Sequence, residues 1–173
     1  MIRPRFAAYL LTIATSLFMI DWAAAAEATE SSPKHYQLNR LALLQPESLI
    51  GKRVAVKDIV ATTNAITSIA ERWSSGLDTG RAANDCAIFV ALRPKKRIKT
   101  WTSCKTFEAT ELDILIANEM QAKRIPRVSG LVLFAMHGKS SDENAFPDAW
   151  KTGLDGTLKT VAMSDIVDRI WPE

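Results

Sequence analysis

The sequence predicts a mainly β domain with helices, folded as a small closed barrel of five strands with one helix between the third and fourth strands. The first observation is residues 49–66, whose valines fall on one side of an extended chain because side chains in a strand alternate with period two. The second is residues 127–136, which repeat that alternation. The third is a single helical pattern that precedes this second stretch.

Each of the two valine-rich stretches contains one turn-tolerant residue among its valines, Asp58 in the first and Gly130 in the second. A residue of this kind inside a strand indicates a bulge or bend, and bent strands are what a closed barrel needs. The alternative architecture is an α+β sandwich, in which the helix lies across one open sheet. Both architectures remain open from the sequence.

The composition is that of one ordinary globular domain. The chain has 173 residues, of which 47% are hydrophobic and 24% are charged. That length is enough for one domain with a substantial core and too short for two large ones. The formal net charge of +3 is too small to indicate a nucleic-acid partner by itself.

Residues 1–26 have the pattern of a secretory signal peptide. Arg3 and Arg5 give a positive start, residues 6–20 are mostly apolar, and the alanines at 23–26 are the small residues that a signal peptidase requires. Glu27 is then expected as the first residue of the mature protein.

A membrane anchor is the alternative interpretation of this segment. It is disfavoured because the apolar run is shorter than the ~20 residues of a membrane span and Asp21 interrupts it. The expected location is the periplasm or the outside of the cell, with no transmembrane anchor after cleavage. Such compartments are oxidising, so the two cysteines are expected to form a disulfide.

The mature chain is expected to consist of a disordered lead-in and one domain. The lead-in spans residues 27–37, and the domain spans residues 38–173. Residues 38–44 are expected to form a short helix, and residues 52–63 the first strand. Residues 73–85 hold many turn formers, and they predict either a binding loop or a tolerated surface insertion.

A hairpin is predicted from strands at residues 86–92 and 97–104, joined by a loop of three residues. If Arg93 faces Arg97, the numbers of facing residues sum to 190. Cys86 then faces Cys104, so the apolar alternation and the cysteine pair favour the same register.

The second half of the domain is expected to hold a helix, two strands and a final short helix. The helix covers residues 110–123, with Thr110 and Asp113 as a capping box. A strand follows at residues 127–136. The last strand is placed at residues 157–163, before a short helix that Ser164 caps.

This order of elements resembles the OB-fold, a five-stranded barrel with a helix between its third and fourth strands. The resemblance covers residues 49–163 and is carried by Gly51-Lys52-Arg53-Val54-Ala55-Val56 and Arg127-Val128-Ser129-Gly130-Leu131-Val132. These segments look like the first and fourth strands of exported bacterial OB-like domains. The resemblance implies that these two strands pair, but it does not identify a function, because such barrels have many roles.

Two aromatic residues of the hairpin are candidate binding residues. Phe89 faces Trp101 on the side opposite Cys86, and OB-folds commonly present aromatic side chains on these strands to a ligand. The alternative is that Trp73 or residues 38–44 cover this side and make the pair part of the core.

The tip of the hairpin is strongly basic. Four side chains could bind phosphate, lipopolysaccharide or an acidic polymer, namely those of Arg93, Lys95, Lys96 and Arg97. The alternative is a soluble tip that prevents strands of other molecules from pairing there.

No catalytic motif, cofactor motif or metal site is predicted. The only histidines are His35 and His137, and His137 is followed by Ser140, Ser141 and Asp142. Neighbours in sequence do not establish a catalytic triad, which depends on spatial roles. The sequence therefore predicts a non-enzymatic exported binding or assembly module for an envelope protein, a peptide, a glycan or an anionic polymer. A small periplasmic hydrolase is the alternative.

Overall fold

The computed structural model describes residues 35–77, 82–123, 125–142, 146–151 and 162–172. All of these residues belong to one compact unit. The expected signal peptide and most of the expected lead-in lie outside the described residues. Tyr36, at the end of that lead-in, is buried, and its hydroxyl donates a hydrogen bond to the Met136 carbonyl at 3.1 Å.

The described chain is a mixed α/β domain with an open, four-stranded antiparallel sheet and five α-helices. The strands are β1 (Leu38–Leu43), β2 (Cys86–Arg93), β3 (Arg97–Cys104) and β4 (Val132–Gly138). The helices are α1 (Glu47–Arg53), α2 (Val56–Ser75), α3 (Thr110–Ala122), α4 (Asp148–Lys151) and α5 (Met163–Ile170). A short 3-10 turn, Ala83–Asp85, precedes β2.

Helices cover both faces of the sheet. The strand order is β1-β4-β2-β3, so β1 and β3 are the two edges. One face packs on α1, α2 and α3, through a core that includes Ile66, Ile88 and Leu112. The other face packs on α4 and α5, through a core that includes Phe89 and Trp150. Period-two alternation along β2 divides its side chains between these two cores.

The five-stranded barrel is not formed by the described residues, and the expected first strand at 52–63 is wrong. That segment contains the end of α1 and the first part of α2. Within α2, Ile59, Ile66 and Ile69 are buried at helical spacing against the sheet. Burial of this 20-residue stripe outweighs the local strand preference of its β-branched residues.

Residues 38–44, expected as a helix, instead contain β1, which pairs with β4. The expected last strand is not confirmed either: Met163 begins α5, and residues 157–161 lie outside the described residues. The expected strand at 127–136 begins later, at Val132, and ends at Gly138.

The helix expected at 110–123 is confirmed as α3, but the expected capping box is not formed. Ala109 occupies the N-cap position, and no side chain caps it. The Asp113 side chain turns toward β3 instead, where it accepts hydrogen bonds from Thr102. Within α3, Glu119 pairs with Lys123 four residues further on, with the amine nitrogen 3.9 Å from the carboxylate.

The hairpin and its register are confirmed in full. Each facing pair of β2 and β3 has the expected partners, from Arg93 opposite Arg97 to Cys86 opposite Cys104. The two cysteines are joined in a disulfide. This hairpin fixes β3 as an edge of the sheet, because β3 pairs with no strand other than β2 in the described part of the chain.

Candidate binding groove at the open sheet edge

The outer side of β3 presents backbone hydrogen-bonding groups. The Cα atoms of Cys86 and Cys104 are 4.0 Å apart, which identifies their pairing as the close type that exchanges no backbone hydrogen bonds. Every second residue of β3 shares that geometry. The N–H and C=O groups of Thr100, Thr102 and Cys104 therefore point away from β2, toward the open edge.

A groove of about 730 Å³ runs along this edge, and we call it the edge groove. Residues 99–105 of β3 and the following turn form its floor, α3 forms one wall, and residues 147–149 at the start of α4 form the other. The two walls lie on opposite faces of the sheet, because α3 packs on one face and α4 on the other. The groove is thus a direct consequence of β3 ending the sheet between two helical layers.

The wall formed by α3 uses a face of that helix different from its core face. Leu112, Ile116 and Met120 are buried in the core. The groove side chains occur at a second helical stripe, and they are Thr110, Asp113, Ile114 and Ala117. Ile114 is 58% exposed, so this wall offers an apolar surface to a bound molecule.

Asp113 connects this wall to the floor of the groove. Its carboxylate accepts a hydrogen bond from the Thr102 backbone N–H at 3.0 Å and another from the Thr102 hydroxyl at 2.7 Å. Burial raises the pKa of this carboxyl above its ordinary value, because desolvation disfavours the charged form. The hydrogen bonds from Thr102, a weaker effect of the Thr100 hydroxyl and the charge of Lys99 partly oppose that rise in pKa.

Two backbone donors of the floor remain without a partner among the described residues, the N–H groups of Thr100 and Cys104. The Thr100 hydroxyl is buried and makes no hydrogen bond of normal geometry there. Unpaired groups of this kind on an edge strand form a template on which another extended chain can pair. The arrangement can therefore bind a peptide backbone.

The aromatic pair expected to contact a ligand lies in the interior. Phe89 and Trp101 face each other across the hairpin, as expected, but they are only 1% and 8% exposed. Both rings pack on Trp150, at centroid distances of 5.1 and 5.5 Å. This face is therefore covered, but mainly by α4 and α5, with Ala42 and Leu44 at its margin. The expected cover by Trp73 is wrong, because Trp73 packs on the opposite core.

Two of the four basic residues expected at the hairpin tip, Arg93 and Arg97, contact α5 and the tryptophan that follows it. The Arg93 side chain is 2% exposed, and its guanidinium pairs with Asp168 of α5 at 2.5 Å. Arg93 and Arg97 both lie over the Trp171 ring, 5.3 and 4.8 Å from its centroid. These cation–π contacts stabilise the docking of α5.

The other two residues of the tip, Lys95 and Lys96, are exposed. Both have positive φ values, 62° and 58°, a conformation that side chains with a Cβ atom rarely adopt. Together with Arg127 and Val128 they line a small cleft. The sequence did not indicate that Arg127 lies beside the tip.

His137 lies near one of the serines that follow it. Its Nδ1 atom is 3.3 Å from the Ser141 hydroxyl oxygen, and that hydroxyl donates to the Gly138 carbonyl at 3.0 Å. The histidine is 5% exposed and its ring stands edge-on to Phe89. His35 is exposed at the start of the described chain.

No metal site is found in the part of the chain that the structure describes. There, no group of three His, Cys, Asp or Glu side chains lies close enough together to hold a metal ion.

The irregular stretch expected at 73–85 is partly helical, since α2 extends to Ser75, and residues 78–81 lie outside the described residues. None of the described helices combines the length and the apolar character needed to cross a bilayer.

Comparisons with known proteins give no relative from which a function could be transferred. No protein family matches the chain, and no match is found among curated proteins or among solved structures. The site is therefore interpreted from its own geometry.

Sequence reasoning missed the edge groove because its walls depend on tertiary packing. One signal was present. In helix α3, Ile114 and Asp113 lie outside the apolar stripe. An exposed isoleucine beside a carboxylate indicates a second face of the helix that makes contacts outside the core. Finding its partner required knowledge that this face lies against β3.

Proposed function

We propose that this protein is an exported, non-enzymatic binding module that takes up an extended polypeptide segment as an additional strand on the edge of β3. The observation that carries the proposal is the row of outward-pointing backbone groups at Thr100, Thr102 and Cys104, which lies at the floor of the edge groove. A peptide strand satisfies such a row with its own N–H and C=O groups.

The groove walls support a peptide rather than a glycan or a small molecule. An edge strand beside a helix provides main-chain hydrogen bonds on one side and side-chain contacts on the other, which is how added strands obtain affinity and specificity. Ile114 supplies an apolar contact for one side of the peptide. Asp113 already occupies the Thr102 N–H, so the peptide would pair through the groups at Thr100 and Cys104.

Export is supported by the disulfide and by the signal-peptide pattern of residues 1–26. The intact mass of protein recovered from a periplasmic extract tests this part of the proposal. We expect a chain that begins near Glu27. A mass that still includes residues 1–26 would contradict export with cleavage.

The binding proposal is tested with a displayed library of random, unstructured peptides. We expect selection of peptides whose affinity depends on their backbone. In a selected peptide, methylation of alternate backbone nitrogens should abolish binding, while methylation of the intervening nitrogens should have little effect, because only one set of N–H groups faces β3. Equal effects at all positions, or no selected peptide, would contradict strand addition.

A matched pair of variants at Thr100 tests the same point on the protein. Thr100→Pro removes an N–H that faces the groove and leaves the pairing with β2 intact, which an edge strand tolerates. Thr100→Val keeps the N–H and removes only the hydroxyl. We expect Thr100→Pro to lose peptide binding and Thr100→Val to retain it, with circular dichroism showing that both fold.

The contact between His137 and Ser141 favours a second candidate function, a small hydrolase. Against it, the histidine is buried and the serine hydroxyl already donates to a backbone carbonyl. Labelling with a fluorophosphonate, which reacts with activated serines, distinguishes the two. Labelling that Ser141→Ala abolishes would favour the hydrolase, whereas no labelling favours the binding module.

A further inference from the structure

Basic side chains from three separate parts of the chain lie near the tip of the β2–β3 hairpin: the hairpin loop, α1 and the segment before β4. Lys95 and Lys96 line a cleft of about 350 Å³ with Arg127 and Val128. Arg127 and Val128 also line a neighbouring cleft of about 560 Å³. The second cleft adds two cations from the last turn of α1, Lys52 and Arg53.

We call these five cations the basic face: Lys52, Arg53, Lys95, Lys96 and Arg127. One carboxylate, that of Asp58, lines the larger of the two clefts. The excess positive charge is thus concentrated on one end, although the whole chain carries a formal net charge of only +3. A local field of this kind attracts a surface of negative charge.

The basic face is held in place by contacts between α1 and the segment before β4. Arg53 donates through its guanidinium to the Leu131 carbonyl at 2.5 Å, and its backbone carbonyl accepts the Ser129 N–H at 3.0 Å. Gly130 allows this approach, since a Cβ atom there would lie 3.0 Å from the Arg53 Nε atom. These contacts place the segment that carries Arg127 beside the last turn of α1, and Arg127 lines the cleft between them.

The hairpin tip shows a second, independent feature. Lys95 and Lys96 hold the left-handed backbone conformation, which asparagine or glycine would adopt with less strain. Strained residues of this kind persist at functional sites more often than elsewhere. At this tip the strained backbone presents two lysines next to Arg127.

Apolar side chains lie next to the cations. Val56, which follows the cleft residue Ala55, is 71% exposed, and Val60, one turn further along α2, is 49% exposed. Exposed apolar residues beside lysines and arginines are typical of proteins that lie on a bilayer surface, where cations meet headgroups and apolar groups reach the acyl boundary.

We propose that the basic face, together with Val56 and Val60, binds the anionic headgroups of a membrane surface. A lone phosphate ion would be held by a few converging donors, whereas these cations are spread over two shallow clefts and three elements. The protein would lie on the bilayer without spanning it. This proposal uses a surface other than the edge groove and does not depend on peptide binding.

Co-sedimentation of the full chain with lipid vesicles tests the proposal. We expect binding to vesicles of phosphatidylglycerol and phosphatidylcholine, little binding to phosphatidylcholine alone, and a loss of binding as salt concentration rises. The triple variant Lys95→Ser, Lys96→Ser, Arg127→Ser should bind about 100-fold more weakly, since each cation near an anionic surface contributes about fivefold. Val56→Ser with Val60→Ser should weaken binding further.

The control removes the same charge elsewhere, in the triple variant Lys123→Ser, Lys139→Ser, Arg169→Ser. It should bind nearly as well as the unaltered chain. Residues 1–26 are present in every variant, so any contribution of that apolar run cancels in the comparison. Equal losses in both triple variants, or no binding to anionic vesicles, would overturn the proposal. Displacement by inorganic phosphate, but not by chloride of equal ionic strength, would indicate a free-phosphate site and would also overturn it.

Discussion

The carboxylate of Asp113 accepts two hydrogen bonds from Thr102, one from its backbone N–H and one from its hydroxyl. A side chain of α3 thus occupies one backbone donor of an edge strand and leaves the neighbouring donors at Thr100 and Cys104 open. The contact limits uncontrolled pairing along β3. It also fixes the position at which an added strand would have to pair.

The stability of the protein should depend on the ionisation of Asp113. Burial raises the pKa of this carboxyl in the folded state, so the folded chain keeps its proton to a higher pH than the unfolded chain, whose aspartates titrate near pH ~4. In that interval the folded state binds more protons. The free energy of unfolding should therefore fall as pH rises from about 4 through the raised pKa.

Urea denaturation at a series of pH values measures this effect. Asp113→Asn cannot ionise, so we expect its free energy of unfolding to lack the fall seen in the unaltered chain. Asp165→Asn, at an exposed position of α5, controls for the loss of one negative charge. A stability advantage of the unaltered chain over Asp113→Asn that grows with pH would contradict this account.

Gly138, the last residue of β4, should not tolerate a larger side chain. A Cβ atom there would lie 2.5 Å from the Asn84 carbonyl oxygen and 2.9 Å from that of Cys86. Both are backbone atoms that cannot move aside cheaply. We expect Gly138→Ala to lower the free energy of unfolding by about 1–3 kcal/mol in urea denaturation.

Gly51, inside α1, provides the matched control. A Cβ atom at this position would meet nothing within 4 Å. Because glycine in a helix interior is destabilising relative to alanine, Gly51→Ala should raise the free energy of unfolding by about 0.5–1 kcal/mol. Similar effects of the two substitutions would contradict the close approach of the Asn84 and Cys86 carbonyl groups to Gly138.

The disulfide between Cys86 and Cys104 should contribute to stability. The two residues are 18 positions apart, and closing a loop of that size in the unfolded chain is worth about 3 kcal/mol in the chain-entropy model. We expect Cys86→Ala with Cys104→Ala to lower the free energy of unfolding by about that amount. Alkylation of the denatured, unreduced protein should add no mass, whereas two alkyl groups would mean free thiols.

The sequence was informative where the decisive contacts are local. In the β2–β3 hairpin the apolar alternation, the loop of three residues and the two cysteines all favour one register, and that register is present. Helix α3 was also recognisable, because Leu112, Ile116 and Met120 repeat at helical spacing.

The sequence misled where a short pattern competed with a longer one. Val54, Val56 and Val60 suggest a strand within a window of seven residues, whereas Ile59, Ile66 and other buried residues of α2 repeat over 20 residues. The closed barrel depended on that strand. The edge groove could not be predicted at all, because it requires α3 and α4 to lie on opposite faces of a sheet that ends at β3.

Amide hydrogen exchange along β3, measured by NMR, tests whether the outer edge of β3 is free to accept an added strand. In the free protein the amides of Trp101 and Ser103, which pair with β2, should exchange slowly, and those of Thr100 and Cys104 should exchange fast. A selected peptide should slow exchange at Thr100 and Cys104. Strand addition on β3 would be contradicted if these two amides were already as protected as Trp101 in the free protein, or if a bound peptide left them unprotected.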